Sequence, residues 1–527
     1  MKARVLALVL PALVAVAAFA PGLGADFPID DAEIVRDNPL LAPGASFFDA
    51  VSSPYGPEST NRTLWRPLTM AFLFVERRIF GASPVPHQVV NLLINAAVAS
   101  LVAAVALRLG LRPFAAAVAG FFFGVHPVHA EAVVGIVGRA EILAAAAVLC
   151  STFLALEGFR VAGSERLGLA LSASLFGLGV LAKESAATFG LVILVVAFVR
   201  GGGRARPLFL ALGVHAAVLA LVLLLRHLVL GAVAFDMARV VPFLDNPLVL
   251  EGTRARVLTA LAGLFLALRL LLFPHPLSVD YGYDAFPVSR EIGAEPLLGI
   301  LAVLGLLAVF SLARRRRPAA ALGAGFFLAT FALTSNLFFP IGTIFGERLV
   351  YLPSAGIAIA AAAVLPKGRI AGAIAVAAVI ALGIRAGSRS ADFRTPSALF
   401  ETAVEARPRS AKAWHNLAVE RRKAGDARGA ESAFARAVAI LPGFGEAELG
   451  LGSLLLERGE RAAAATAFRR GAEADPGVPG NFVGLASVAM IEGRLDEARE
   501  AGIAGVLGRR PGDAAAAEAL RRIEGRD

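Results

Sequence analysis

Twelve apolar stretches separated by short polar loops fill the first 390 residues of this chain. They lie at about residues 5–20, 88–107, 113–125, 132–156, 167–182, 186–199, 208–230, 257–273, 295–313, 319–335, 349–365 and 370–387. No soluble core needs so many, and several fall short of the ~20 residues that cross a bilayer upright. With 57% hydrophobic residues and a mean hydropathy of +0.71, the chain reads as a polytopic membrane protein. Its net charge of +10 does not point to nucleic acid, because the basic residues are scattered through short loops, where they set topology. The single cysteine, Cys150, excludes an intrachain disulfide and argues against a cysteine-based metal site.

The positive-inside rule orders these segments. With the N-terminus inside, Arg108 and Arg112, Arg160 and Arg166, and the Arg200–Arg206 loop all fall inside. Arg314–Arg317 follows only if one segment between 231 and 293 does not cross. The segment 257–273 carries Arg269 and ends at Pro274-His275-Pro276, so it is expected to be re-entrant or interfacial, leaving about 11 spans. Residues 5–20 also have the marks of a signal peptide, but the many spans that follow favour an uncleaved first helix. The polar segment 23–86 and the chain after 388 then lie outside. So do Asp30-Asp31, His126 to Glu131, Lys183-Glu184, Asp245 and Glu347-Arg348, which loops far apart in sequence deliver to one face.

From about 392 the long apolar runs stop and a 34-residue period begins. Trp414, Leu417, Ala418, Gly425, Ala430, Phe434, Ala437 and Pro442 occupy tetratricopeptide signature positions, and Leu451, Gly452, Gly459, Ala464, Phe468 and Pro476 repeat them. Phe482, Leu485, Ala486, Gly493 and Ala498 open a third copy, which has Gly502 in place of the aromatic and Pro511 one place late; Phe400, Ala403 and Pro408 match a partial repeat before the first. The expected fold is all-α: a multispan membrane domain over 1–390, then a tetratricopeptide α-solenoid over 391–527, whose surface binds a protein or peptide partner rather than performing chemistry.

Ionisable groups at a membrane boundary are costly to desolvate, so they are where chemistry is sought. Asp30 or Asp31, just past the first helix, could serve as a general base toward a hydroxyl, or could cap a helix. His126, His129 and Glu131 could be read as a metal site, but Pro127 argues for a turn, and a metal is not favoured. Glu131, Gly135 and Arg139 would share a helical stripe about 12 Å long, either as a packing ion pair or as a substrate contact. Lys183-Glu184 and Glu347-Arg348 place cations where a lipid-linked phosphate would sit, although snorkelling would explain either alone.

The strings P-I-D-D, W-R-P-L-T, P-H-Q-V-V-N-L-L, H-P-V-H-A-E-A-V-V-G-I-V-G-R-A-E, L-A-K-E, D-N-P and G-E-R-L-V-Y-L-P-S-A-G occur in that order from about residue 25. Together they resemble the transmembrane-and-tetratricopeptide O-mannosyltransferases, which are GT-C glycosyltransferases. The resemblance implies a GT-C-like membrane domain and inverting transfer of a mannose-like sugar. The donor would be a polyprenyl-phosphate sugar and the acceptor a hydroxyl, on protein Ser/Thr or an envelope glycan. It implies Asp30, or else Asp31, as base. Arg348 and Lys183, with Glu347 and Glu184, would handle the donor phosphate. His126, His129, Glu131, Arg139, Glu141, Arg66 and His87 would shape the pocket. A composition of bacterial character implies undecaprenyl phosphate as the lipid and the plasma membrane as the location, with the active face and the repeats non-cytoplasmic. Two other classes compete. A membrane-anchored tetratricopeptide scaffold would have no reason to gather ionisable groups at one face, and a transporter would place them near mid-bilayer with a repeat between halves.

Overall fold

The computed structural model describes residues 1–56, 64–201, 205–231 and 241–502; part of the Arg200–Arg206 loop, and Pro511, lie outside them. Among these residues the chain is helical apart from one isolated bridge between Val161 and Ser164. Contacts divide it into two units, Met1–Val279 with Phe286–Leu399, and Asp280–Ala285 with Phe400–Asp527.

In the first unit, nine helices among the described residues are long and apolar enough to cross a bilayer. The number is ten if Pro113–Gly124 and Pro127–Val134, which meet at 45°, form one span. The expected count of about 11 is lowered because two apolar stretches form short helices, Phe189–Arg200 and Pro318–Ala332. The segment expected to be re-entrant is instead one unbroken helix, Thr253–Leu272, which by length and composition would itself pass as a span. One stripe of it meets loops, while Leu261 on another side lies against Gly299 of the helix Ala294–Leu312. Thr259 Oγ1 accepts from the Ser289 N–H at 2.9 Å, a Cβ on Gly263 would lie 3.7 Å from the Phe345 ring, and the Leu271 carbonyl bonds His126 Nε2 at 3.0 Å. All three partners belong to loops, and two of them, His126 and Phe345, adjoin the ionisable strings His126 to Glu131 and Glu347-Arg348.

Helix packing in the apolar core depends on small residues. Pro318–Ala332 and Tyr351–Val364 cross at Gly323 and Gly356, where a Cβ on either glycine would stand 2.4 Å from the other's carbonyl oxygen. Without a hydrophobic drive between helices in lipid, such close approach is what holds them.

The polar segment after the first helix contains helices that the hydropathy pattern missed, Phe47–Ser52 and Pro67–Phe80. It has its own small core, in which Phe27, Ile34, Val35, Leu41, Tyr55, Met70, Leu73 and Phe74 gather around Ile136.

The second unit bears out the repeat. The first helices of successive pairs start at 411, 445 and 479 and the second helices at 427, 461 and 495, each 34 residues apart. Phe434 and Phe468 are buried, and a Cβ on Gly450 or Gly452 would collide with their rings.

Candidate active site

Pro28-Ile29-Asp30-Asp31 forms a tight turn closed by the Asp31 N–H on the Pro28 carbonyl at 3.0 Å. Ile29 has φ of 52°, a region that a β-branched residue enters at a cost of roughly 1–3 kcal/mol. The turn leaves the two carboxylates in different surroundings. Asp31 is wholly buried, and its oxygens accept the Ile136 and Val137 N–H groups at 2.7 and 2.8 Å. Burial pushes its carboxyl up to about 7, against the pull of those two amides, with neighbouring Asp30 adding to the rise. Asp30 is exposed and lies within electrostatic range of Arg348 and Tyr55.

The string that receives Asp31 is not one helix. His126 caps a 3-10 turn, Pro127–His129, followed by a short helix, Ala130–Val134, and a break at Gly135–Gly138 before Arg139–Leu156. At Gly138 a Cβ would fall 2.2 Å from the Ala132 carbonyl oxygen, so only glycine lets the chain fold back there. The break corrects the expected stripe, because Glu131 and Arg139 are not partners. Glu131 accepts from the Arg348 backbone N–H at 3.1 Å and from its Nη1 at 3.0 Å. Arg139 is fully buried and pairs with Glu76. Its Nε donates to Asn91 Oδ1 at 2.8 Å and its Nη2 to the His87 carbonyl at 2.6 Å. His87 Nδ1 also meets Glu76, at 2.6 Å. Arg139 and His87 therefore sit inside the packed bundle rather than on a wall with the others.

Three loops complete the cluster. Lys183 pairs with Glu141, which Ser185 Oγ approaches at 3.4 Å. Glu184 takes Arg66 on one oxygen at 3.0 Å and Arg226 on the other at 2.9 Å. Burial alone would raise the Glu184 carboxyl, yet the two guanidiniums outweigh it and hold it at about 2. Arg348 also lies within range of Glu141 and Asp245, and Lys183 within range of Arg66 and Arg348, so the cluster is electrically one site. Glu347 is buried and accepts the Ser278 N–H at 2.6 Å, which turns it toward backbone. His126 and His129 are buried; His129 Nε2 meets Ser354 Oγ at 2.9 Å. No group of three or more His, Cys, Asp or Glu side chains among the described residues is arranged to hold a metal ion.

Sequence reasoning missed Glu76, Arg226 and Tyr55. Each of the two charged residues stood inside an apolar run, F-L-F-V-E-R and L-L-L-R-H-L, and that was the available signal. Tyr55 is buried under the Arg66 guanidinium, 5.1 Å from its ring, and its hydroxyl has no hydrogen-bond partner among the described residues.

The tetratricopeptide repeat model TPR_19 matches residues 421–480. The chain is 26% identical to protein O-mannosyl-transferase TMTC4 of Mus musculus over 465 residues, covering 76% of this chain and 62% of that protein. It is 32% identical to Tmtc2 of Drosophila melanogaster over 282 residues, covering 50% and 29%. It thus spans less than two-thirds of the length of these relatives. Among solved structures, ArnT from Cupriavidus metallidurans bound to undecaprenyl phosphate is 19% identical with a TM-score of 0.41, covering 88% of this chain and 79% of that one.

Proposed function

We propose that this chain, a homologue of the transmembrane-and-tetratricopeptide O-mannosyltransferases, is an integral membrane glycosyltransferase. It moves a mannose-like sugar from a polyprenyl-phosphate donor to a hydroxyl, on protein Ser/Thr or an envelope glycan, at the non-cytoplasmic face. The observation that carries this reading is the division of labour at Asp30-Asp31. One carboxylate is locked onto backbone amides, while the other is exposed on a strained turn within range of Arg348.

In the proposed reaction Asp30 takes the proton from the acceptor hydroxyl. The acceptor oxygen attacks the anomeric carbon opposite the phosphate, forming the new glycosidic bond with inversion. The carbon–oxygen bond to phosphate breaks, and polyprenyl phosphate leaves with the electron pair. Arg348 has one guanidinium nitrogen on Glu131 and keeps a side chain 32% exposed, which suits contact with the leaving phosphate. Lys183 adds a second cation, and Arg66 a third, each steadied by a carboxylate. Glu131, Glu141, Glu184 and Glu347 orient the cations and loops. His126 and His129 are buried and fix their loop through the Leu271 carbonyl and Ser354 Oγ. The tetratricopeptide unit presents a surface for a protein partner.

The test is Asp30→Asn in purified protein supplied with a polyprenyl-phosphate mannose and a Ser/Thr peptide. Transfer is expected to fall by about 100-fold or more, the contribution typical of a general base, with an unchanged thermal midpoint. Wild-type transfer retained in the variant would remove Asp30 as base, and no transfer by the wild type would remove the activity.

A further inference from the structure

Polar side chains packed inside the segment after the first helix are tied to backbone. Asn38 uses both ends of its amide, Nδ2 donating to the Ile34 carbonyl and Oδ1 accepting the Leu40 N–H, each at 3.0 Å. Trp65 Nε1 donates to the Val51 carbonyl at 2.9 Å. In the helical bundle the buried Tyr351 gives its hydroxyl hydrogen to Asn95 Oδ1 at 2.8 Å. Tyr55 is different. It is 3% exposed, its N–H donates to the Leu64 carbonyl at 2.7 Å, and it belongs to the small core around Phe27, Met70 and Phe74. Its hydroxyl oxygen is nevertheless buried with no hydrogen-bond partner among the described residues. A buried hydroxyl left unpaired is destabilising, and a phenylalanine would fill the same core without it.

The neighbourhood of this hydroxyl is the candidate site. The Arg66 guanidinium lies over the ring, and Arg348, Asp30 and Asp31 are within electrostatic range of the phenol. Burial pushes the phenol above its ordinary 10, so at neutral pH it keeps its proton and can donate it to a hydrogen bond. Arg66 and Arg348 each already meet a carboxylate, Glu184 and Glu131. A neutral donor in range of two cations matches an anion. An acceptor hydroxyl, which gives up its proton, needs a carboxylate such as Asp30 instead.

We propose that the Tyr55 hydroxyl is a binding group for the donor, donating a hydrogen bond to a phosphate oxygen of the polyprenyl-phosphate sugar beside Arg66 and Arg348. This rests on the lipid-phosphate donor of the proposed reaction. The oxygen is buried as the chain stands, so the contact requires the ring, or the Arg66 guanidinium over it, to shift as the donor enters.

The test is Tyr55→Phe in the full chain in lipid nanodiscs, with a polyprenyl-phosphate mannose and a Ser/Thr peptide. The substitution keeps the ring under Arg66 and removes one oxygen. The donor KM is expected to rise on the order of tenfold, the scale of one hydrogen bond to a charged oxygen. The kcat and the peptide KM should stay near the wild-type values, and the thermal midpoint should be equal or higher. Binding of polyprenyl phosphate alone, a readout that needs no transfer, should weaken by a similar factor. Unchanged donor KM and unchanged polyprenyl-phosphate affinity would overturn the inference. A rise confined to the peptide KM would overturn it too, by moving the hydroxyl to the acceptor. So would a lowered thermal midpoint with donor affinity intact, which would make Tyr55 a packing group. A wild type that binds polyprenyl phosphate and transfers nothing would remove the proposed reaction, while the binding comparison would still decide the role of Tyr55. A wild type that binds none would remove both.

Discussion

The bond between Asp31 and the amides of Ile136 and Val137 should loosen as pH rises. The folded protein raises this carboxyl from its ordinary 3.8 to about 7. Between those values the latched state holds a proton that a hydrated Asp31 would release. Opening the latch therefore becomes easier as pH climbs from 4 to 7 and is easiest above 7. At about 1.36 kcal/mol per pH unit, the difference of 3.2 corresponds to about 4 kcal/mol, a shift on the order of a thousandfold in the opening equilibrium. Asp30 and Arg139 face the same carboxyl with opposite effects, so the swing reports the pair and not an isolated group. Hydrogen exchange of the peptide covering residues 134–138, measured in lipid nanodiscs from pH 5 to 8 and corrected for intrinsic rates, should show protection falling with pH. Asp31→Asn, which cannot ionise, should flatten that dependence. Equal slopes in the wild type and the variant would refute the assignment of the latch to Asp31.

Two further outcomes follow from packing. Glu76→Gln leaves Arg139 buried without its counter-ion, a loss of roughly 3–5 kcal/mol, and should cut the yield of monodisperse protein by size-exclusion chromatography; yield equal to the wild type would show that Arg139 is satisfied by Asn91 and the His87 carbonyl alone. Gly323→Ala pushes a methyl to 2.4 Å from the Gly356 carbonyl oxygen and should lower the thermal midpoint, at a cost of about 1–3 kcal/mol, while Gly305→Ala, with open space around it, should leave it unchanged or raised; equal midpoints would show that the two helices can part freely.

What the sequence made legible was whatever is periodic or alternating. The tetratricopeptide pairs begin where the 34-residue period placed them, because each repeat carries its own small residues and aromatic plug. The gathering of Asp30, Glu131, Lys183, Glu184 and Arg348 at one face followed from counting alternate loops, and their mutual contacts agree with it. Partner choice was not legible. Glu131 and Arg348 lie 217 positions apart, and nothing local favours that pair over Glu131 and Arg139. The break at Gly135–Gly138, which decides between them, depends on the Ala132 carbonyl that the chain meets on folding back. Pro67–Phe80 escaped notice because Glu76, Arg77 and Arg78 dilute its apolar character over a length too short to read as a span.

The cations of the site are already matched: Arg348 with Glu131, Lys183 with Glu141, and Arg66 and Arg226 with Glu184. An anion arriving there exchanges one counter-ion for another instead of neutralising a bare charge, so its binding is weaker than the number of arginines implies. The same exchange runs in reverse on departure. In the proposed reaction the polyprenyl phosphate would leave with more negative charge than the donor brought, and the resident carboxylates stand ready to reclaim their partners as it departs.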